Sequence, residues 1–399
     1  MKSVSYQFAR RTNRMKASII REILKIASRP NVISFAGGLP APTAFPLKAF
    51  ERATRQALSE DGTRALQYMV TEGHLGLKEY LCGWLGKQGL KASPAQMMFT
   101  HGSQQGLELV GKIFLNPGDK ILVEDPTYLG AIQCFNGYEA TYVTVPMDES
   151  GMQTDRVDAL LKKHRIKFIY TVPTFHNPAG ITMTLERRKA LLAVARRHNV
   201  PIIEDDPYGL LRFKGSAVPS LYELARGKGV VYMSTFSKLL SPGIRLGLLI
   251  AEDAVMKQLL YAKQATDLQN NTLIQYAVYH YCKNGNLETH IPKIIKDYKR
   301  RAGVMMASIR ESFPPSVKFQ EPEGGMFVWC ELPRPLRASD VFKAAIKENV
   351  AFVDGSVFYA NGGGENTMRL NFTSSTDEAI RTGIARLGRV IGDQLKKLG

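Results

Sequence analysis

A chain of 399 residues is longer than one hydrophobic core usually supports, so a large domain and a smaller one are expected. Hydrophobic and charged fractions of 44% and 22% exclude a disordered or collagen-like chain, and no apolar run is long enough to cross a bilayer. The net charge of +17 comes from Lys and Arg scattered through the chain rather than from a basic tail or block, which argues against nucleic acid as a partner and suits the attraction of small anions.

The segment before Glu22 has no acidic residue and superficially resembles a transit peptide, but it lacks the apolar core of a secretory signal. Cys82, Cys134, Cys282 and Cys330 lie far apart with no C-x-x-C spacing, so free thiols in a reducing cytoplasm are expected. From residue 97 onward, short β-rich runs alternate with helical stretches: 97–100, 121–124, 141–145, 167–172, 201–204, 230–234 and 246–250. Several are almost continuously apolar, as in a mostly parallel seven-stranded sheet covered by helices on both faces. In such an α/β sheet, ligands gather at the carboxyl ends of the strands. A long Lys- and Arg-rich helix follows over 287–313, stopped by Pro314 and Pro315. Beyond it come a Gly-Gly turn with short strands (324–331), a helix over 338–348, a glycine-rich loop at 361–364 and a final helix, which read as a smaller α+β domain. The expected division is an arm over 1–42, a large domain over 43–286, and the long helix with the small domain over 287–399.

Three strings sit where such a sheet binds ligands. Ser234-Thr235-Phe236-Ser237-Lys238 follows a strand directly, and Arg245 lies seven residues beyond the lysine. A lysine that forms an imine must face a cleft, with desolvation or neighbouring cations to free its amine. The hydroxyls of Thr235 and Ser237, with the guanidinium of Arg245, can converge on a phosphate dianion. An isolated Ser-Lys pair would instead be a solvated surface turn. Gly102-Ser103-Gln104-Gln105-Gly106 lies between a strand and a helix, where free backbone N–H groups and the helix dipole favour a phosphate. The plainer reading of that string is a helix capped by Ser103. Glu204-Asp205-Asp206-Pro207-Tyr208 ends another apolar strand, where Asp is also a common helix cap.

Taken whole, the lysine string resembles that of the class I and II aminotransferases, fold-type I enzymes that use pyridoxal 5′-phosphate (PLP). The similarity runs from about Arg14 to the last helix. It is nearest the 2-aminoadipate and kynurenine aminotransferase subgroup, through Gln67-Tyr68, Gly102-Ser103-Gln104-Gln105, Gly324-Gly325-Met326-Phe327-Val328-Trp329 and Asn361-Gly362-Gly363-Gly364-Glu365-Asn366. The resemblance implies that Lys238 bonds the cofactor's aldehyde and then moves the substrate's Cα proton. It implies that Asp205, and not Asp206, pairs with the pyridinium nitrogen, because Asp205 has the right spacing to Tyr208. Tyr208 and Asn177 (in Asn177-Pro178-Ala179-Gly180) would meet the ring oxygen, Tyr128 would stack on the ring, and Ser103, Gln104, Thr235, Ser237 and Arg245 would hold the phosphate. Arg369, in Met368-Arg369-Leu370-Asn371, would grip the α-carboxylate, with Asn177 and the Gly37-Gly38 loop beside it. Tyr68 would reach the phosphate of a neighbouring subunit, so a homodimer with shared active sites is implied. Arg21 would read the distal carboxylate of glutamate or 2-aminoadipate, and the acceptor would be 2-oxoglutarate in a ping-pong reaction.

Two alternatives follow from the same residues. One is a β-lyase or decarboxylase on the same scaffold, and the other is a PLP-binding regulator of the kind fused to a DNA reader. The second needs an extra N-terminal domain, for which Gly37-Gly38 leaves no room. No metal is expected, and His101 and His176 read as packing or hydrogen-bonding residues.

Overall fold

Period-two alternation along the apolar runs sends neighbouring side chains to opposite faces of one sheet, and this organises the large domain. In the computed structural model, which describes residues 4–15, 29 and 31–398, the strands are β1 (Ile33–Ser34), β2 (Met97–Thr100), β3 (Lys120–Asp125), β4 (Thr141–Asp148), β5 (Gly151–Met152), β6 (Ile166–Thr171), β7 (Ile202–Asp205), β8 (Val230–Thr235), β9 (Gly247–Ile250), β10 (Lys318–Phe319), β11 (Phe327–Glu331), β12 (Val350–Ala351), β13 (Val353–Asp354) and β14 (Thr367–Asn371). The large sheet has the order β2-β9-β8-β7-β6-β3-β4-β5. From β8 to β4 neighbouring strands are parallel, whereas β9 runs against both β2 and β8.

Seven strands were expected and eight are present. The additional one, β5, is two residues long and folds back against the end of β4. So short a hairpin leaves no alternation to read in the sequence.

Leu122, Ile169, Ile202 and Val230 pack into the core on one face of the sheet. Their chain neighbours Val123, Phe168, Ile203 and Val231 pack into a second core on the other face. Each such fully buried aliphatic or aromatic side chain contributes about 1.5–3 kcal/mol.

The smaller sheet is antiparallel, in the order β10-β11-β14-β13. The helix Asn286–Ser312 ends one residue before Phe313-Pro314-Pro315, as the prolines dictate. It packs along the C-terminal helix Asp377–Lys396. β1, from the N-terminal arm, pairs in parallel with β12 of the smaller domain, which ties the arm to that side of the molecule. Among the described residues no helix is long and apolar enough to cross a membrane.

Candidate active site

The carboxyl ends of the parallel strands bring distant parts of the chain together. β8 ends on Thr235 and runs into the turn that carries Ser237 and Lys238, and β7 ends on Asp205. The helix Gly102–Phe114 begins just after β2, with Ser103 and Gln104 in its first turn. Tyr128 caps the helix Leu129–Asn136, Asn177 follows β6, and β14 carries Arg369 in from the smaller domain. A cavity of about 370 Å³ is lined by Gly38, Ser103, Gln104, Tyr128, Asn177, Asp205, Tyr208, Thr235, Ser237, Lys238, Arg245 and Arg369. A wider cleft of about 680 Å³, between Thr43–Arg52 and the start of the helix Asn286–Ser312, contains none of these residues.

Two glycines permit the close approaches at this site. Gly102 has φ +69, and a Cβ there would lie 2.6 Å from Nη2 of Arg245, whose guanidinium packs against the bare backbone. A Cβ on Gly130 would meet the Tyr128 ring at 2.5 Å, so glycine makes room for that ring beside the cavity.

At one end of the cavity the Thr235 hydroxyl donates to Ser237 Oγ (2.9 Å), and Arg245 donates to Ser237 Oγ (3.5 Å) and to the His101 carbonyl (3.1 Å). Ser103 Oγ is buried there without a partner. At the centre, Lys238 Nζ donates to the Gly38 carbonyl (2.7 Å). Burial pushes the Lys238 ammonium down to about 8, helped by the nearby charges of Arg369 and Arg245.

Deeper in, Asp205 Oδ2 accepts from the Tyr170 hydroxyl (2.9 Å), while Oδ1 is buried with no partner. Burial raises the Asp205 carboxyl to about 7, the Tyr170 hydrogen bond opposes this, and neighbouring Asp206 adds to it. Such a carboxylate calls for a cation or a strong donor at its free oxygen. Asp206 does not line the cavity. Its oxygens accept from the Tyr232 hydroxyl (2.9 Å) and the Gly209 N–H (2.8 Å), which holds the turn after β7.

On the far side, Arg369 is buried over the Phe327 ring (4.2 Å) and near that of Phe358 (5.0 Å). It donates to Asn177 Oδ1 (2.7 Å) and to the Ala36 carbonyl (2.8 Å), and its Nε–H has no partner. Burial lowers its guanidinium to about 10. Asn177 Nδ2 in turn donates to the Tyr208 hydroxyl (3.3 Å), so Arg369, Asn177 and Tyr208 form one chain of contacts.

Among the described residues, one predicted site residue is not part of this constellation. Tyr68 is 79% exposed on its own chain and away from the cavity. Arg21 lies outside the described residues. His176 lies behind Asn177, its Nδ1 accepting from the Ala179 N–H (3.2 Å) and its Nε2 facing Glu124 at 3.1 Å. Among the described residues no group of three or more His, Cys, Asp or Glu is placed to hold a metal. Sequence reading missed Tyr170, which lies within a buried strand and reads as core. Its only signal is the hydroxyl, which must find an acceptor when buried.

The model of the aminotransferase class I and II family matches residues 32–387. The chain belongs to the class I and II aminotransferases. This aminotransferase is 43% identical to an aromatic-amino-acid aminotransferase of Thermococcus litoralis, over 98% of its own chain and 95% of the relative. It superposes on the α-aminoadipate aminotransferase of Thermus thermophilus, solved with N-(5′-phosphopyridoxyl)-L-leucine, with a TM-score of 0.92, 40% identity and 98% of each chain covered. For a kynurenine aminotransferase of Pyrococcus horikoshii, solved with PMP, the TM-score is 0.94 with 42% identity over 97% of each chain. The fold is therefore that of fold-type I PLP enzymes, and the aminotransferase is PLP-dependent. The unpartnered Asp205 Oδ1, Ser103 Oγ and Arg369 Nε, each buried in a residue that lines one cavity, fit a ligand with a cationic ring nitrogen, a phosphate and a neighbouring carboxylate.

Proposed function

We propose that the aminotransferase moves the amino group between an L-amino acid bearing a distal carboxylate, 2-aminoadipate or glutamate, and a 2-oxo acid, 2-oxoglutarate, by a ping-pong mechanism. Aromatic and branched-chain amino acids are proposed as further donors. The observation that carries the reading is that Lys238 and Arg369, from different domains, line the same cavity of about 370 Å³. The guanidinium binds the substrate's α-carboxylate and so sets its Cα within reach of the lysine amine.

PLP, when bound, supplies the electron sink that makes the Cα proton removable. The protein's own residues do the rest. Asp205 keeps the ring nitrogen protonated, Tyr208 and Asn177 donate to the ring oxygen, and Tyr128 packs on the ring. Ser103, Gln104, Thr235, Ser237 and Arg245 hold the phosphate. Lys238 would take the proton from the substrate's Cα and return it at the cofactor's C4′.

On this reading the chain divides into an arm (1–42), a large domain (43–286) and a small domain with its linking helix (287–399). It works as a cytoplasmic homodimer in which Tyr68 reaches the partner's phosphate. The exposure of Leu66, Tyr68, Val70 and Leu75, all between 58% and 79%, supports a covered face. Light scattering of the holoenzyme should give the mass of two chains, and a monomer would remove the role assigned to Tyr68.

The distal carboxylate is assigned to Arg21 on sequence resemblance. A donor screen with 2-oxoglutarate as acceptor tests the function: 2-aminoadipate and glutamate should be converted at rates that depend on the oxo acid. In Arg21→Ala, kcat/KM should fall about tenfold for these two donors, the worth of one charge-assisted contact, and stay level for leucine. Equal losses for all donors would remove Arg21 from substrate selection, and product formation without an oxo acid would point to lyase or decarboxylase chemistry.

A further inference from the structure

Lys263 lies on the helix Asp253–Asp267, outside the cavity, and is fully buried. A buried ammonium is costly unless its donors are used, and an aliphatic side chain would fill the same space more cheaply. Its donors are used on two partners. Nζ donates to both carboxylate oxygens of Asp267 (3.0 and 3.1 Å) and to Gln105 Oε1 (3.0 Å). The same Gln105 Oε1 accepts from the backbone N–H of His101 (2.8 Å), and Gln105 Nε2 donates to Asp267 Oδ2 (2.6 Å). His101 Nε2 lies 3.1 Å from that oxygen, and the His101 carbonyl accepts from Arg245. The four-residue step from His101 to Gln105 is thus fastened at both ends to one Lys–Asp pair. Between those ends lie Ser103, with its buried and unpartnered Oγ, and Gln104.

We propose that Lys263, acting through Gln105 and Asp267, is a positioning residue that holds the Ser103-Gln104 turn in the shape that receives the cofactor's phosphate. This rests on the reading of that turn as part of the phosphate site. A turn held by fixed side chains binds without first having to be ordered, so loosening it weakens the phosphate contact and leaves the aldehyde end of the site alone.

The test compares PLP with pyridoxal, which has the aldehyde and ring but no phosphate. The full-length enzyme, stripped of cofactor, is titrated with each while the visible band is followed. Lys263→Met should bind PLP about tenfold more weakly, the effect of losing a buried charged hydrogen bond, and bind pyridoxal as the wild type does. Equal weakening of both, or of neither, overturns the proposal. Should Lys263→Met not fold, Gln105→Leu, which cuts the link and leaves the Lys263–Asp267 pair intact, carries the same expectation and the same overturning results. Ser103→Ala separates the two readings. If it keeps the wild-type preference for PLP over pyridoxal, the turn is not a phosphate site. If it loses that preference while Lys263→Met and Gln105→Leu keep it, only the positioning role fails.

Discussion

Lys238→Ala should fold, retain a cofactor site and lose at least about 10⁴-fold in amino transfer, the upper end of what one general acid–base group contributes. The substitution removes a single hydrogen bond, from Nζ to the Gly38 carbonyl, so stability should change little. Function should not survive, because among the described residues that line the cavity no other amine can replace it: the remaining cationic side chains there are the guanidiniums of Arg245 and Arg369. Burial and the two arginines bring the Lys238 ammonium down to about 8, so a useful fraction of the amine is neutral near physiological pH. The sign of the pH dependence follows from that: only the neutral amine attacks an aldehyde. Capture of PLP by the cofactor-free enzyme should therefore quicken by about tenfold per pH unit below about 8 and level off above it. Borohydride treatment of the holoenzyme, followed by peptide mass spectrometry, should find the phosphopyridoxyl mass on Lys238 alone. A label on another lysine, or full turnover by the alanine variant, would sink the assignment.

The strands of the large sheet were legible because a strand covered on both faces must be apolar at nearly every position, and Ile121-Leu122-Val123 or Pro201-Ile202-Ile203 can hardly be anything else. The observed ends differ from the expected ones by a residue or so, except that β4 continues three residues further, through Pro146, Met147 and Asp148. Lys238 and its string stood out because hydroxyls, a lysine and an arginine crowd the end of a strand. Tyr128, Asn177 and Arg369 could be placed only through resemblance. A lone Arg in a strand ordinarily faces solvent, whereas Arg369 is buried against the rings of Phe327 and Phe358, and Phe327 comes from a strand far earlier in the sequence. Lys263 shows the same limit from the other side. In sequence it is an ordinary lysine of an amphipathic helix, and its burial arises only when the helix Asp253–Asp267 packs against the helix Gly102–Phe114.

Asp205→Asn should keep fold and cofactor and lose about two to three orders of magnitude in kcat, with a smaller effect on KM. Asparagine preserves the shape and, through its amide oxygen, the hydrogen bond from the Tyr170 hydroxyl, so the pocket has no reason to collapse. What it cannot preserve is a negative charge at the buried Oδ1. Without a cationic partner, burial alone drives this carboxyl up to about 7, which means that the site disfavours the charge it needs. A protonated pyridine nitrogen reverses that balance, because each ion offsets the other's loss of hydration. Breaking such a buried pair costs about 2–5 kcal/mol, and about 1.4 kcal/mol is a factor of ten in rate. The loss should fall on the chemical step, since the ring must draw electrons from Cα only as the proton leaves. Single-turnover measurement of Cα-deuterated substrate separates the possibilities: the isotope effect should grow in Asp205→Asn as proton removal becomes limiting. An unchanged isotope effect with kcat near that of the wild type would mean that the ring nitrogen is served by some other group. Asp206, already committed to Tyr232 and Gly209, is not placed to be that group.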